Sequence, residues 1–260
     1  MTMERNRATP GAIALVGSGE YLDAMNEVDA YLLDTLGGAN GAKVALLPTA
    51  SGLEQKGPTY WNDLGLQHFQ KLGVQDIRAT HILNHSDAVA PEQLALLRAA
   101  DLYYFSGGNP QHVIETMRGT PAWDIITAAH REGAVLAGCS AGAMMLGGRT
   151  ISIRQAMTGG NIDFEEALAI VPNIIVFPHF DRMVNFLDDN RFQQLLSVIP
   201  TNYVIAGIDE ETALVQVEAP SASGSAARWR VMGRQSVKLY IRDTQSSQPR
   251  VLHNGEEVIL

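Results

Sequence analysis

The chain has 260 residues, of which 46% are apolar and 18% charged, and its formal net charge is −9. This composition allows a substantial buried core and excludes an intrinsically disordered protein. The negative charge and the lack of a dense Lys/Arg run exclude nucleic acid as an expected partner. With a single cysteine, Cys139, the chain forms no internal disulfide and no multi-thiolate metal site, and we expect a cytoplasmic protein.

The apolar stretches are too short for targeting or membrane insertion. Residues 12–16 give only five apolar residues before a Gly-Ser-Gly turn, fewer than a signal peptide needs. No run of about twenty apolar residues occurs, so we expect no membrane partner. No long linker or internal repeat divides the chain, which predicts one domain over residues 1–260.

The predicted elements alternate along the chain. Short apolar runs without polar alternation, each ending in turn-forming residues, predict strands that are buried on both faces, as in parallel sheets. These runs are residues 12–17, 43–51, 101–109, 134–140 and 173–180. Helical spacing with proline at the start predicts helices over residues 58–73, 91–100 and 121–133. The expected fold class is α/β, a mostly parallel doubly wound sheet flanked by helices.

The character of the sequence changes after residue 200. The segments there alternate more strictly and are separated by short polar turns, such as the Gly/Ser stretch at residues 221–227. This pattern predicts antiparallel strands and hairpins that complete the same domain.

Residues 138–142, GCSAG, fit the Gly-x-Ser-x-Gly pattern of a nucleophile elbow. In an elbow, a sharp turn from a strand into a helix exposes the central residue. The predicted strand before the motif and the run of small residues after it have the required order. Ser140 is then the exposed nucleophile, and Cys139 is a small buried side chain. A glycine-rich turn that only packs a helix against a strand is the alternative.

A catalytic serine needs a base and a carboxylate that orients the base. His179 ends the apolar run at residues 173–180, which places it at the edge of the sheet where Ser140 is expected. The other histidines lie in helical or loop segments. Three consecutive carboxylates, Asp209, Glu210 and Glu211, follow a later apolar strand, and the residues alone leave open which of them orients the histidine.

Two glycines at another strand end are candidates for the oxyanion-binding backbone. Residues 105–109, FSGGN, offer Gly107 and Gly108, and the residue after the nucleophile, Ala141, offers a second N–H donor. Asn109 has an alternative role as the N-cap of the following helix. Glu20, in the turn GSGEY after the first strand, is a candidate for lining the same pocket.

Taken together, these segments resemble the peptidase E and cyanophycinase family of serine peptidases, whose fold is related to the class I glutamine amidotransferases. The resemblance covers residues 12–217 and rests on YYFSGGN, GCSAGAM, PHF and GIDEETAL in this order. It implies Ser140 as nucleophile, His179 as general base and Glu210 as the orienting carboxylate. It further implies Gly108 and Ala141 as oxyanion donors.

The resemblance also sets expectations for the ligand. It implies hydrolysis of a small peptide or isopeptide bond, of the aspartyl dipeptidase or cyanophycinase kind, through an acyl-enzyme on Ser140. We expect no metal or other cofactor, and a homodimer as the assembly. Substrate contacts are expected from Gly107, Asn109 and Arg182. Serine at the centre of the elbow, where the related amidotransferases have cysteine, disfavours glutamine deamidation.

The chain differs from the cyanophycinases at positions that are expected to recognise their substrate. Pro110 stands where those enzymes have glutamine, and Phe177 stands where they have an acidic residue. Of the arginines expected after the histidine, the chain keeps only Arg182 and Arg191. These residues therefore leave open which acyl group the site accepts.

Two other function classes fit parts of the pattern. One is a non-catalytic binding module that keeps this fold and senses an amino-acid-like ligand. The other is an α/β-hydrolase esterase, in which the acid precedes the histidine in the chain, so that only His253 remains as base.

Overall fold

The computed structural model describes residues 9–151, 164–183, 189–220, 225–241 and 248–260. The strands are β1 (Ile13–Val16), β2 (Lys43–Leu47), β3 (Asp76–Ala79), β4 (Leu102–Phe105), β5 (Val135–Cys139), β6 (Arg149–Ile151), β7 (Phe164–Glu166), β8 (Ile174–Phe177), β9 (Val204–Ile208), β10 (Thr212–Glu218), β11 (Arg228–Gly233), β12 (Ser236–Ile241), β13 (Arg250–His253) and β14 (Glu257–Ile259). The helices are α1 (Asn26–Thr35), α2 (Gly57–Lys71), α3 (Pro91–Arg98), α4 (Pro110–Met117), α5 (Pro121–Arg131), α6 (Ala141–Leu146), α7 (Phe180–Met183) and α8 (Asp189–Val198).

The main sheet is mostly parallel, as the sequence predicts. Within the described ranges it has eight strands in the order β14-β11-β10-β1-β5-β4-β2-β3. The pairs from β1 to β3 are parallel, and β10, β11 and β14 extend the sheet with antiparallel pairs. The predicted α/β class and its antiparallel C-terminal strands are therefore confirmed.

A hydrophobic core lies on each face of the main sheet. Along β1, Ile13 and Leu15 belong to the core that includes α3, α4 and α5, whereas Ala14 and Val16 belong to the core that includes α1 and α2. Consecutive residues of a strand point to opposite faces, so a strand that is buried on both faces has no polar position. This explains the uninterrupted apolar runs in the sequence.

A second sheet, in the order β13-β12-β9-β8, corrects part of the sequence prediction. The run ending at His179 was expected in the same sheet as Ser140, but β8 lies in the second sheet. There it pairs in parallel with β9, although antiparallel strands were expected after residue 200. The run Val204–Ile208 has no alternation and is buried on both sides, which fits this central position better than a hairpin edge.

Candidate active site

Ser140 lies on a strained turn between β5 and α6. Its φ of 51° and ψ of −112° are unfavourable for a residue with a side chain, as is expected of a nucleophile elbow. Its N–H donates to the carbonyl of Val16 at 2.9 Å, and this contact fixes the turn to β1. The helix can pack this closely because position 142 is glycine: a Cβ there would overlap the carbonyl oxygen of Phe105.

His179 contacts Ser140 directly. Its Nε2 lies 3.1 Å from the Oγ of Ser140, and its Nδ1 lies 2.8 Å from Oε1 of Glu210. The arrangement assigns the proton of the imidazole to Nδ1, which donates to Glu210, and leaves Nε2 free to accept from the serine hydroxyl. His179 also has a positive φ, of 49°, so both residues of the pair sit on strained backbone.

The three neighbouring carboxylates have different surroundings. Asp209 is buried and accepts from the backbone N–H and hydroxyl of Ser236 and from Lys238. Glu211 forms an ion pair with Arg234 at 2.7 Å. Of the three, Glu210 is the carboxylate that contacts His179.

Two residues of α7 hold Glu210 in place. The guanidinium of Arg182 lies 2.6 Å from Oε2 of Glu210, and Oδ1 of Asp181 accepts from its backbone N–H at 2.9 Å. Arg182 was predicted to contact substrate; in the structure its guanidinium is engaged with Glu210, and its side chain is 68% exposed. Sequence reasoning missed Asp181, and its position two residues after His179 was the available signal.

The turn at residues 106–109 borders Ser140. Gly108 is exposed and has a φ of 145°, a conformation that favours glycine, and a Cβ there would overlap the carbonyl of Ala50. Asn109 donates its N–H to that carbonyl at 2.7 Å, and its side chain caps α4 by accepting from the N–H of His112. The capping alternative for Asn109 is therefore present in the structure. The N–H of Gly107 donates to a side chain, Oε1 of Glu20, at 2.8 Å.

Cys139 is fully buried, as the sequence predicts, and its thiol donates to Oε2 of Glu20 at 2.8 Å. Burial, followed by the charge of Glu20, raises the pKa of the thiol well above its usual value. Cys139 therefore stays a protonated thiol behind the elbow, whereas the hydroxyl of Ser140 faces the histidine.

Four further residues that the sequence singles out are described by their elements and their burial. His253 ends β13, where it pairs with Ser236 of β12, and it is His179 that contacts Ser140. Pro110 begins α4 and is buried, and Phe177 is 1% exposed at the end of β8. The side chain of Arg191 lies outside the described residues.

Comparison with known proteins gives the family of the chain. The sequence model of peptidase family S51 matches residues 13–220. The chain belongs to this family. It is a serine-type peptidase that hydrolyses peptide or isopeptide bonds, and its substrate is accordingly a peptide.

The relatives of this S51 peptidase include cyanophycinases. It is 25% identical to the cyanophycinase of Trichormus variabilis over 221 residues, which cover 83% of this chain and 70% of the relative. It is also 25% identical to the cyanophycinase of Synechococcus elongatus over 244 residues, covering 92% and 70% of the two chains.

Two solved structures share the fold. A peptidase from an acI-B1 Actinobacterium is 33% identical, with a TM-score of 0.81 and coverage of 97% of this chain and 98% of the other. A candidate peptidase E from Listeria monocytogenes EGD-e is 20% identical, with a TM-score of 0.54 and coverage of 80% and 94%. Across the described ranges, no helix combines the length and the apolar character needed to cross a membrane.

Proposed function

We propose that this S51 peptidase cleaves its substrate through an acyl-enzyme on Ser140, with His179 as base and Glu210 as the orienting carboxylate. The observation that carries the proposal is the continuous chain of contacts from Ser140 Oγ to His179 Nε2, and from His179 Nδ1 to Glu210. The order of groups is that of a nucleophile, a base and an orienting acid.

In the acylation step, Ser140 Oγ attacks the carbonyl carbon and its proton passes to Nε2 of His179. The carbonyl oxygen becomes an oxyanion, for which the N–H groups of Gly108 and Ala141 are the proposed donors. His179 then protonates the leaving amine, the C–N bond breaks, and an ester on Ser140 remains. A water molecule that His179 deprotonates hydrolyses this ester and restores the serine.

We further propose that the substrate is a short peptide or isopeptide with an aspartyl acyl group. The cyanophycinase relatives support this substrate class, whereas Pro110 and Phe177 are differences from them at positions expected to recognise the substrate.

The buried free thiol favours a cytoplasmic location, and the negative charge favours the absence of nucleic acid or membrane partners. A homodimer and a single domain stay predictions, which light scattering and limited proteolysis test.

Labelling with a fluorophosphonate tests the nucleophile. Ser140→Ala and His179→Ala should each abolish labelling, because the first removes the attacked oxygen and the second the base. Cys139→Ala should label at the wild-type rate, since the thiol faces Glu20 rather than the site. Mass spectrometry of the labelled peptide measures the outcome.

Undiminished labelling of Ser140→Ala would overturn the proposal. The substrate is tested separately by incubating the wild-type protein with α- and β-linked aspartyl dipeptides and short peptides with N-terminal acidic residues. Release of free aspartate, absent with Ser140→Ala, is the expected result. Cleavage of only non-acidic peptides would contradict the aspartyl assignment.

A further inference from the structure

Glu20 is a buried carboxylate that connects the two turns of the proposed catalytic site. It lies in the loop after β1, and the residue is 5% exposed. Its Oε1 accepts from the N–H of Gly107, just after β4, and its Oε2 accepts from the thiol of Cys139, the last residue of β5. One side chain thus bridges the strand ends that precede the oxyanion turn and the nucleophile.

The loop that carries Glu20 is itself held firmly. Tyr21 has a φ of 66°, which is unfavourable for a residue with a side chain. Its ring packs in an aromatic cluster, with centroid distances of 4.9 Å to Tyr104 and 6.2 Å to Phe69. Strained backbone persists where surrounding packing fixes it, so the aromatic cluster keeps Glu20 directed at the strand ends.

The contact from Glu20 determines where the next N–H group points. The peptide of Gly107 is fixed by its bond to Glu20, and the peptide of Asn109 is fixed by its bond to the carbonyl of Ala50. Gly108 lies between these two anchors in its unusual conformation. A Cβ on Gly107 would lie 3.4 Å from the Cβ of Ser140, so this turn adjoins the nucleophile.

We infer that Glu20 is a positioning residue: by accepting from the N–H of Gly107, it directs the Gly108 N–H at the oxyanion formed on the Ser140 adduct. The inference rests on the proposed function of Ser140 and Gly108 and adds a residue that does not touch the substrate. A displaced oxyanion donor weakens transition-state stabilisation and leaves the nucleophile and its base intact. Glu20 therefore acts on the chemical step.

Three variants separate the hydrogen bond from the packing. Glu20→Met keeps an unbranched side chain without a strong acceptor, and its fluorophosphonate labelling should fall by about 100-fold, the cost of a misplaced donor. Glu20→Gln keeps an oxygen that accepts from Gly107, and it should restore most of the rate. Cys139→Ala removes the other contact of Glu20 and should stay near the wild-type rate.

Hydrogen exchange provides a readout that general destabilisation would not give. In Glu20→Met, amide exchange should accelerate in the segment 105–109 and stay unchanged in α3 and α5, while Glu20→Gln should match the wild type. If Glu20→Met does not fold, Glu20→Asp replaces it, because its carboxylate is withdrawn by one methylene from the N–H of Gly107.

Wild-type labelling and exchange in Glu20→Met, or in Glu20→Asp if it takes its place, would overturn the inference. Labelling of Glu20→Gln that is as slow as that of Glu20→Met would also overturn it, because the bond from Gly107 would then not be what matters. A wild-type protein that takes no label refutes the proposed serine chemistry instead. The exchange comparison then still decides whether Glu20 orders the oxyanion turn.

Discussion

At the scale of single residues, the turn between β9 and β10 sends three adjacent carboxylates in three directions. Asp209 turns toward β12, Glu210 toward His179, and Glu211 toward Arg234. The positive φ of Glu211, 51°, helps to reverse the chain at this point. Side-chain direction in such a turn follows from backbone angles, so the identity of the orienting acid depends on geometry that strand patterns do not contain.

These carboxylates make a matched set of variants. Glu210→Gln should lower the rate of fluorophosphonate labelling by about 10³- to 10⁴-fold, because the amide no longer stabilises the charged imidazole. Glu211→Gln should stay near the wild-type rate. Asp209→Asn should instead lower the free energy of unfolding by about 1–3 kcal/mol, since it weakens a buried network with Ser236 and Lys238. Stopped-flow labelling and urea unfolding measure the two effects, and equal labelling of all three variants would contradict the assignment.

The limits of sequence reasoning at this scale have a physical cause. Ser140 and His179 were predicted because each follows a buried apolar strand, and strand ends gather at one region of an α/β fold. The contacts of Glu20 and Asp181 were not predicted. Glu20 accepts from the N–H of Gly107 and the thiol of Cys139, and Asp181 accepts from the N–H of Glu210. No local sequence pattern predicts which distant N–H or thiol a carboxylate will contact.

At the scale of elements, burial on both faces made the central strands predictable. The strand β3 was missed because it lies at the end of the sheet, where its short sequence, DIRA, is only partly buried. Helix α1 was also missed, since its sequence, NEVDAYLLDT, mixes acidic and apolar residues without a clear start signal.

The last turn of helix α5 contains a buried histidine, His130, whose protonation makes the stability of the fold depend on pH. His130 lies 3.0 Å through Nδ1 from the carbonyl of Ala134, at the edge of the sheet opposite Ser140. Burial lowers the pKa of His130 below its usual value. The unfolded chain therefore takes up this proton at a higher pH than the folded protein does. The stability that neutral His130 contributes is present above the unfolded pKa and is lost as the pH falls toward the folded pKa.

His130→Asn keeps a donor for Ala134 and removes the titration. As the pH falls below about 6.5, the wild type should lose stability relative to this variant, by about 1.4 kcal/mol for each unit by which the pKa is lowered. Urea unfolding at a series of pH values from neutral to acidic measures the difference. A difference that does not change with pH would contradict the prediction, and unchanged fluorophosphonate labelling at neutral pH is the control.

At the scale of the whole molecule, the proposed catalytic residues come from two sheets. The main sheet supplies Ser140 at the end of β5, and the second sheet supplies His179 and Glu210 after β8 and β9. The turn from β9 to β10 passes from one sheet to the other, and it carries Glu210 to His179. This assembly could not be predicted from element order, because apolar runs of the same kind form the parallel strands of both sheets.

The net charge of −9 is a property of the whole molecule that should act on substrate selection. A negative surface raises the local concentration of cationic peptides and lowers that of anionic ones. The distance over which its electric field acts decreases with salt, from about 30 Å at 0.01 M to about 3 Å at 1 M. The value of kcat/KM for the C-terminal amide of aspartyl-arginine, which is cationic, should therefore fall several-fold as salt is raised across this range, whereas that for the anionic amide of aspartyl-glutamate should rise. The amide of aspartyl-alanine, which has no net charge, serves as the control for salt effects on the protein itself. If kcat/KM changes in the same direction for all three dipeptides, the electric field of the protein does not select among them.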